Sequence, residues 1–369
     1  MKKNKASIDK RILSVTIILI LIGLIMIASS SWPYANKLGK NSYEFFEKQF
    51  KFSLLGFVII FVVSKIDYRI YKKYAGVLFI LTIILSIIVL IVGDEKTYSA
   101  KRWLNLGFTT IMPSDFLKIG TVFIISKYIA SNYKQIKSFK YGFIPMIIFG
   151  GISGGLVFLQ PDLSTTLVIL GTVVAMFVIA GINLRYFATA VFGVGGITVF
   201  AILKPNSAYS RMSRVEAWLD PMKDFTNKGW QLAQSLFAVS YGGFFGTGIG
   251  RSRHKFSYLS EAHNDFIFAI ICEELGFIGA ILIILLYVYL IYVGISISFK
   301  LEDVFAKFLV IGIMLLIGLQ AFTNISVALG LIPPTGLTLP FISYGGSSLI
   351  VYMVLIGIIL NISKNVQRR

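Results

Sequence analysis

The carboxylate of Asp265 is the side chain best placed for chemistry, because it stands directly before a long apolar run, within residues 260–268. A negative charge at the start of a helix is stabilised, so we expect Asp265 to open that helix and to stay ionised. An ionised carboxylate beside a substrate hydroxyl can act as a general base, which accelerates a reaction roughly 10²–10⁴-fold. Asp265 is therefore the predicted catalytic residue, and Glu261 and His263 are predicted to contact the substrate.

Two more carboxylates, Glu273 and Glu274, follow inside the apolar run. Carboxylates within a membrane are costly and are usually paired or functional. At 100° per residue, Glu273 lies about 80° around the helix from Asp265 and Glu274 lies on the opposite side. Both are predicted to support the site, with Lys118 as a hypothetical partner across the bundle.

A second polar segment runs from Arg102 to Lys118. Pro113 suits the first turn of a helix, and Asp115 and Lys118, three residues apart, share a face of that helix. A lysine one turn inside a span must pair or face a cavity. Two interpretations stay open: Lys118 pairs with Asp115 and stabilises the bundle, or Lys118 contacts the substrate together with Arg102.

Two further segments carry polar residues at predicted helix junctions. Asp162 follows Pro161 and is predicted to cap the next helix. Residues 333–348 are rich in Gly, Pro and hydroxyl groups, an irregular backbone that survives in a membrane only when it is buried in protein or lines a polar cavity. Ser343 and Ser347 are predicted to contact the substrate, with Gln320 and Asn324 as partners for this backbone.

The long connection at about residues 204–264 is unusually basic. It contains eight Lys or Arg residues, including Arg211 and Arg214, against four Asp or Glu residues. An anionic ligand such as a phosphate-bearing lipid headgroup would explain this charge, and contact with acidic phospholipid is the simpler alternative. Five glycines in residues 242–250 would let backbone approach a ligand closely. They match no nucleotide-binding fingerprint, because no strand precedes them.

The composition places these segments on a membrane protein. The chain has 369 residues, of which 56% are hydrophobic and only 14% are charged, whereas soluble domains have about 25% charged residues. The net charge of +18 does not indicate nucleic-acid binding, because the basic residues lie in loops that flank apolar runs. Cys272 is the single cysteine, so no disulfide can form within the chain.

Ten apolar runs are long enough to cross a bilayer as helices. The predicted spans are 12–31, 52–66, 74–93, 113–131, 142–159, 163–182, 186–203, 265–294, 306–332 and 347–362. The short loops carry more Lys and Arg on one side, and the positive-inside rule then makes both termini cytoplasmic. The sequence thus predicts an all-α membrane protein: a single ten-transmembrane-helix bundle over residues 1–369, with the connection at 204–264 outside the cell membrane.

Taken in order, five motifs resemble the SEDS family (shape, elongation, division and sporulation), which includes the FtsW, RodA and SpoVE proteins. They are RWLNLG with PSDFLK, QPDL, QSLFA with GGFFGTGIG, EAHNDFIFAIICEELGFIG and PTGLTLPFISYGGSS. The resemblance covers almost the whole chain and is strongest to FtsW. The sequence departs from the family in having Asp115 for Glu, Ser164 for Gly, Ser260 for Pro and Asn264 for Thr.

The resemblance implies a peptidoglycan glycosyltransferase that polymerises lipid II into glycan strands and releases undecaprenyl diphosphate. Its essential aspartate falls on Asp265. The implied partners are lipid II, the growing glycan chain, a class B penicillin-binding protein that cross-links the product, and other division proteins. The implied location is the cytoplasmic membrane at the division septum.

Several alternatives stay open at this stage. A divalent cation, Mg²⁺ or Mn²⁺, held by carboxylates such as Asp265 or Glu261 would help to neutralise the diphosphate, although no metal-ligand spacing is present. The duty of the chain can be that of RodA in elongation or SpoVE in sporulation instead of division. A lipid II flippase and a scaffold that only activates its partner synthase are the competing functions.

Overall fold

The computed structural model describes residues 8–93, 102–105, 110–203, 211–223, 229–256, 259 and 262–366. Most of these residues are helical. In chain order the helices are α1 (Lys10–Lys37), α2 (Glu44–Val63), α3 (Tyr68–Val92), α4 (Pro113–Asn132), α5 (Ile144–Leu159), α6 (Leu163–Ile179), α7 (Leu184–Leu203), α8 (Arg211–Leu219), α9 (Trp230–Tyr241), α10 (Ile267–Phe299), α11 (Val304–Ala328) and α12 (Gly346–Val366). A two-stranded antiparallel hairpin, β1 (Leu104–Asn105) with β2 (Thr110–Ile111), precedes α4.

The helices confirm the predicted class, an all-α membrane protein. Each predicted span overlaps one of the helices α1 to α7 or α10 to α12. Six of the described helices, namely α1, α3, α5 with its preceding turn, α10, α11 and α12, are long and apolar enough to cross a membrane. The chain is a multi-pass membrane protein. The predicted loop at 204–264 contains two short helices, α8 and α9.

The helices at the centre of the bundle are α11 and α12. In their apolar stretches 72% and 78% of the residues are buried, against 22% in α3, which therefore lies at the periphery. The centre is built mainly from aliphatic side chains and Phe, whose burial requires close contact between helices. Small residues permit this contact. A side chain at Gly312 of α11, for example, would collide with Val122 of α4 and Met176 of α6.

Hydrogen bonds bring the start of α1 and the end of α12 to the same end of the bundle. The amide of Asp9 donates to Ser363 Oγ at 3.1 Å, and Lys364 Nζ donates to the carbonyl of Ser64 at 2.7 Å. The hydroxyl of Tyr68 donates to Asp303 at 3.1 Å. The start of α1, the α2–α3 turn, the α10–α11 turn and the end of α12 therefore share one end. Residues 38–49, 263–265 and 337–345 meet at the other end.

Candidate functional site

Asp265 lies in the turn of residues 262–266 and not within α10 as predicted. The helix begins at Ile267, and its N-cap is Phe266, which makes no side-chain capping bond. The aspartate is half-buried. Its backbone carbonyl accepts a hydrogen bond of 2.9 Å from Asn324 Nδ2, and its Oδ2 lies 3.5 Å from the point that a Cβ on Gly336 would occupy. The carboxylate thus faces the α11–α12 connection at a place where no side chain intervenes.

The turn that carries Asp265 is fastened to residues 337–345 by a set of hydrogen bonds. Ser343 Oγ donates to the carbonyl of Asn264 and accepts from the amide of Leu339, both at 2.7 Å. The amide of Tyr344 donates to the carbonyl of His263 at 3.0 Å. Asn324 Nδ2 also donates to the carbonyl of Leu337 at 2.6 Å. These contacts fix the backbone of residues 263–265, and a catalytic group requires such positioning.

Lys118 forms a buried ion pair with Asp115. Its Nζ lies 2.7 Å from Asp115 Oδ1, and both side chains are almost fully buried. The same ammonium donates to Gln320 Oε1 at 2.9 Å, an oxygen that also accepts from the hydroxyl of Tyr352. Gln320 Nε2 in turn donates to the carbonyl of Thr338 at 3.0 Å. The chain Asp115–Lys118–Gln320 therefore reaches the backbone that faces Asp265, and the predicted roles of Gln320 and Asn324 as its partners are confirmed.

His263 sits inside a cluster of aromatic rings. Its ring centroid lies 4.7 Å from that of Phe45, 5.1 Å from Tyr34 and 5.6 Å from Tyr344. Among the described residues Nδ1 has no hydrogen-bond partner. Burial lowers the pKa of His263 to about 4, so the imidazole is neutral at physiological pH. The ring contacts α1, α2 and residue 344 and joins these elements to the turn of Asp265.

Arg102 and Asp162 form a separate group at the α5–α6 junction. The Arg102 guanidinium donates to the backbone carbonyls of Gln160, at 3.2 Å, and Pro161. Asp162 is the N-cap of α6, as its place after Pro161 predicts, and accepts from the amide of Thr165 at 3.1 Å. Arg102 thus pairs with backbone carbonyls at the end of α5, and Asp162 pairs with a backbone amide at the start of α6. Substrate binding by Arg102 stays a prediction.

The remaining predicted binding residues lie on or beside the long connection and on α12. Arg211 and Arg214 belong to α8, where Arg214 is exposed. This helix is fastened to the α11–α12 connection by Trp218 Nε1, which donates to the carbonyl of Gly330 at 2.8 Å. Ser347 lies half-buried in the first turn of α12. Glu261 is outside the described residues.

The hypothesis that Lys118 pairs with Glu273 or Glu274 is wrong. Glu273 accepts from Ser252 Oγ, from the amide of Arg253 at 2.7 Å, and lies 3.0 Å from His254 Nδ1. Glu274 lies 2.9 Å from Lys255 Nζ and accepts from Ser29 Oγ. The two carboxylates leave α10 in different directions, yet one short segment, residues 252–255, wraps around the helix and contacts both.

The glycine run contacts α10, and its approach to a ligand stays a prediction. Gly276 has φ 68° and breaks the helix, so that the carbonyls of Glu273 and Glu274 accept from the amides of Thr247 and Gly248 at 2.9 and 3.0 Å. In return the amides of Phe277 and Ile278 donate to the carbonyls of Gly243 and Phe244. The run thus replaces the helical hydrogen bonds lost at the break, as buried backbone groups require.

A Cβ on Gly246 would lie 2.2 Å from the carbonyl oxygen of Glu274, and one on Gly242 would lie 1.9 Å from that of Cys272. The glycines are therefore needed for the approach of one backbone to another.

Sequence reasoning missed several residues that hold the site. Ser29 and Lys255 complete the cluster around Glu274. Gln49 connects α2 to the α11–α12 connection, since its side chain donates to the carbonyl of Ser343 at 3.3 Å and accepts from the amide of Gly345 at 3.2 Å. A weak signal exists for Ser29 and Gln49, because both are polar residues inside apolar helices. The sequence offers no signal for Lys255, because it is one of eight Lys or Arg residues in the same loop.

Comparison with known proteins shows to which family this arrangement of helices belongs. A family model described as Cell cycle protein, which covers FtsW, RodA and SpoVE, matches residues 10–368. The chain belongs to this family. The helical bundle and the fastened turn of Asp265 are thus features of a member of the FtsW, RodA and SpoVE family.

Individual relatives span the whole chain. Stage V sporulation protein E of Bacillus subtilis (strain 168) is 38% identical over 99% of both chains. The probable peptidoglycan glycosyltransferase FtsW of Geobacter sp. (strain M18) is 35% identical over 97% of both. The fold matches a chain of a solved structure described as "Structural coordination of polymerization and crosslinking by a peptidoglycan synthase complex", with a TM-score of 0.78, 25% identity, and 97% and 98% of the two chains covered. Thermus thermophilus RodA has a TM-score of 0.73 at 22% identity, over 97% of both chains.

Proposed function

We propose that the chain is a peptidoglycan glycosyltransferase that polymerises lipid II at the outer face of the cytoplasmic membrane. The observation that carries the proposal is the half-buried carboxylate of Asp265 at one end of a membrane bundle. It stands on a turn whose backbone carbonyls accept hydrogen bonds from Asn324 and Ser343. Relatives named probable peptidoglycan glycosyltransferase FtsW match 96% or more of this chain at 34–38% identity. A lipid-linked substrate fits a site at the edge of such a bundle.

The proposed reaction is a single displacement. Asp265 takes the proton of the acceptor sugar hydroxyl while that oxygen forms a bond to the anomeric carbon of the donor. The bond from that carbon to the diphosphate oxygen breaks, and its electron pair leaves with undecaprenyl diphosphate, so the configuration at the carbon inverts. Positive charge stabilises the departing diphosphate, and we assign this task to Arg211 and Arg214 of α8, with Arg102 and Lys118 in support.

A divalent cation fits the residues around Asp265. Asn324 Oδ1 and Thr335 Oγ1 are among the buried polar atoms of the described residues that have no hydrogen-bond partner, and both residues adjoin the surroundings of Asp265. Mg²⁺ and Mn²⁺ prefer such oxygen ligands, and an ion would supply neutralisation of the diphosphate charge. Within the same residues no cluster of three His, Cys, Asp or Glu side chains exists, so Asp265 would be the anionic ligand, together with Glu261.

The topology, partners and location that we propose follow from the resemblance to the family. The chain forms ten spans with both termini cytoplasmic, places the 204–264 connection outside, and works beside a class B penicillin-binding protein and other division proteins at the septum. The similarity to a chain of a structure described by polymerization and crosslinking in one synthase complex supports such a partner. The identity of 38% to a stage V sporulation protein supports a duty in sporulation as the second candidate.

The test is polymerisation of purified lipid II by the Asp265→Asn protein, with its class B partner, in detergent. Loss of the general base should lower the rate by about 10² or more. Asp67→Asn is the matched control, because Asp67 caps α3 at the opposite end of the bundle and Asn caps helices equally well. Near-normal polymerisation by Asp265→Asn would remove Asp265 from the mechanism. The absence of glycan strands with the unaltered protein would favour a flippase or a scaffold.

A further inference from the structure

A stretch without charged residues lies in the middle of the basic connection between α7 and α10. Residues 229–250 contain no Lys, Arg, Asp or Glu, and all eight cations of the connection come before or after them. The stretch comprises α9 and the glycine run. Because charged side chains are costly in hydrocarbon, an uncharged stretch flanked by cations is typical of a segment that lies in a membrane.

The contacts of the glycine run lie well along α10 and not at its start. The amides of Thr247 and Gly248 donate to the carbonyls of Glu273 and Glu274 at 2.9 and 3.0 Å. Glu274 comes seven residues after Ile267, the first residue of α10. At a rise of 1.5 Å per residue, these contacts lie about 10 Å along the helix from the end of the bundle that carries Asp265.

Helix α1 gives the same depth independently. Lys255 Nζ, just after the run, donates to Ser29 Oγ at 3.0 Å, and Ser29 lies eight residues, or about 12 Å, before the last residue of α1, Lys37. The whole helix is about 42 Å long, close to the full thickness of a bilayer, whose two headgroup layers are each about 5–7 Å thick. A point 12 Å from the end of α1 therefore lies inside the hydrocarbon layer.

The chain enters this layer along α9 and leaves it after the glycine run. Near the middle of α9, Ser235 Oγ donates to the carbonyl of Ala328, the last residue of α11, at 2.8 Å. The run that follows α9 lies beside residues 272–276 of α10. Further on, Phe256 packs against Trp32 with 5.0 Å between ring centroids, and Trp32 is only about 7–8 Å from the end of α1. The path therefore goes down and comes back on the same side.

The turning point of this path exposes large apolar side chains. Phe244 and Phe245 are 70% and 84% exposed. Phe277 and Ile278 on the adjoining part of α10 are more than half exposed and continue the same surface. A contiguous apolar surface of this kind marks a membrane or protein contact. At a depth inside the hydrocarbon layer, acyl chains are the covering whose chemistry matches it.

Two exposed cations, Arg251 and Arg253, follow the glycine run directly. The Arg253 guanidinium lies over the ring of Tyr241, with its central carbon 5.2 Å from the ring centroid. Long Arg side chains can keep their stems in hydrocarbon while the guanidinium reaches towards the headgroups. The two residues lie on the returning part of the path, so their charges have a short way to the phosphates.

On these grounds we propose that residues 229–256 form a re-entrant segment, which enters the bilayer at the Asp265 end, turns at the glycine run and leaves at the same end. Phe244 and Phe245 contact lipid acyl chains. The connection begins and ends outside, and only this part of it returns into the membrane. The backbone at the turn is compatible with lipid because its amides and carbonyls are bonded to α10.

The experiment measures the depth of the turn in the full-length protein, reconstituted in phosphatidylglycerol vesicles. Phe245→Cys is labelled with an environment-sensitive fluorophore, and native Cys272, which is buried, serves as the unlabelled background. Ile84→Cys on the exposed face of α3 is the matched control in lipid, and Asn41→Cys in the α1–α2 turn is the control in water. Fluorescence is quenched either by phospholipid with a nitroxide on its acyl chain or by iodide in the buffer.

We expect the label at position 245 to lose fluorescence with the acyl-chain nitroxide as the label at 84 does, and to be protected from iodide. Phe244→Cys provides a second position, read in the same way, should the first variant fail to fold. Quenching by iodide to the extent seen at position 41 would overturn the proposal and leave the turn in water. Quenching by neither agent would overturn it as well, because the surface would then be covered by protein, such as a second copy of the chain. No polymerisation is measured, so the outcome is independent of the function proposed above.

Discussion

At the scale of single residues, Asp265 and His263 show how neighbouring positions take different tasks. Asp265 keeps its carboxylate half-exposed while its backbone is fastened through Asn324 and Ser343. His263 is buried among aromatic rings, and its Nδ1 has no hydrogen-bond partner among the described residues. Its ring therefore positions the turn by packing, and a proton on this imidazole would be unfavourable.

The burial of His263 predicts a pH-dependent stability. The pKa of about 4 in the folded protein lies below the value of about 6.5 in the unfolded chain, so the unfolded chain binds the additional proton between these pH values. Stability is complete above pH 6.5 and falls as the pH drops towards 4, by about 3 kcal/mol from this group.

His263→Phe keeps the ring contacts and lacks the titration. The melting temperature of the variant in detergent should consequently fall less between pH 6.5 and 4 than that of the unaltered protein. If the melting temperatures of the two proteins fall by the same amount over this pH range, burial does not lower the pKa of His263 in the folded protein.

At the scale of elements, the break in α10 and the glycine run form one unit. The amides and carbonyls freed at Gly276 are satisfied by residues 243–248, which lets the helix change course without unpaired backbone in the membrane. Residues 252–255 continue from this run and bind Glu273 and Glu274. The long connection is thereby attached to α10 by backbone and side chains together.

Replacement of Gly246 by Ala should be more destabilising than the same change at Gly250. Both glycines have positive φ, 77° and 84°, so the conformational strain of a side chain is similar. A Cβ at Gly246 would lie 2.2 Å from the carbonyl oxygen of Glu274, whereas none of the surrounding atoms lies within 4 Å at Gly250. The additional cost is about 1–3 kcal/mol. Thermal unfolding of both variants in detergent measures it, and equal melting temperatures would contradict the contact.

The buried pair of Lys255 and Glu274 should be strongly coupled. Both side chains are fully buried, with 2.9 Å between Nζ and Oε1. Lys255→Met leaves the charge of Glu274 without its cation and should cost about 3–5 kcal/mol. Adding Glu274→Gln removes that charge and should restore most of the stability. If the double variant melts no higher than Lys255→Met, the cost arises from lost packing and not from the charge.

At the scale of the whole molecule, the start of α1 and the end of α12 share one end of the bundle and the turn of Asp265 lies at the other. The proposed orientation places the second end outside. A cysteine introduced by Asn41→Cys should react with a membrane-impermeant maleimide added to intact spheroplasts, whereas Ser138→Cys should react only after lysis. Native Cys272 is 4% exposed and should stay unlabelled. The opposite labelling pattern would place Asp265 on the cytoplasmic side.

The sequence by itself determined the fold class, the positions of the helices and the residue proposed as catalytic. Apolar runs of about 20 residues have one stable form in lipid, so the helices follow from composition alone. The N-cap at Asp162 and the first-turn Pro113 also follow from local chemistry. Asp265 was identified by its sequence context and by the family resemblance.

Only the tertiary structure decided which polar groups meet. Lys118 pairs with Asp115 within its own helix, while Glu274 pairs with Lys255. The choice depends on how residues 243–255 wrap around the break in α10, which is a non-local packing result. Helical periodicity could not reveal it, because it assumes an unbroken helix and treats a loop cation as solvated. The physical reason is that a buried charge takes whichever partner the packing brings within reach.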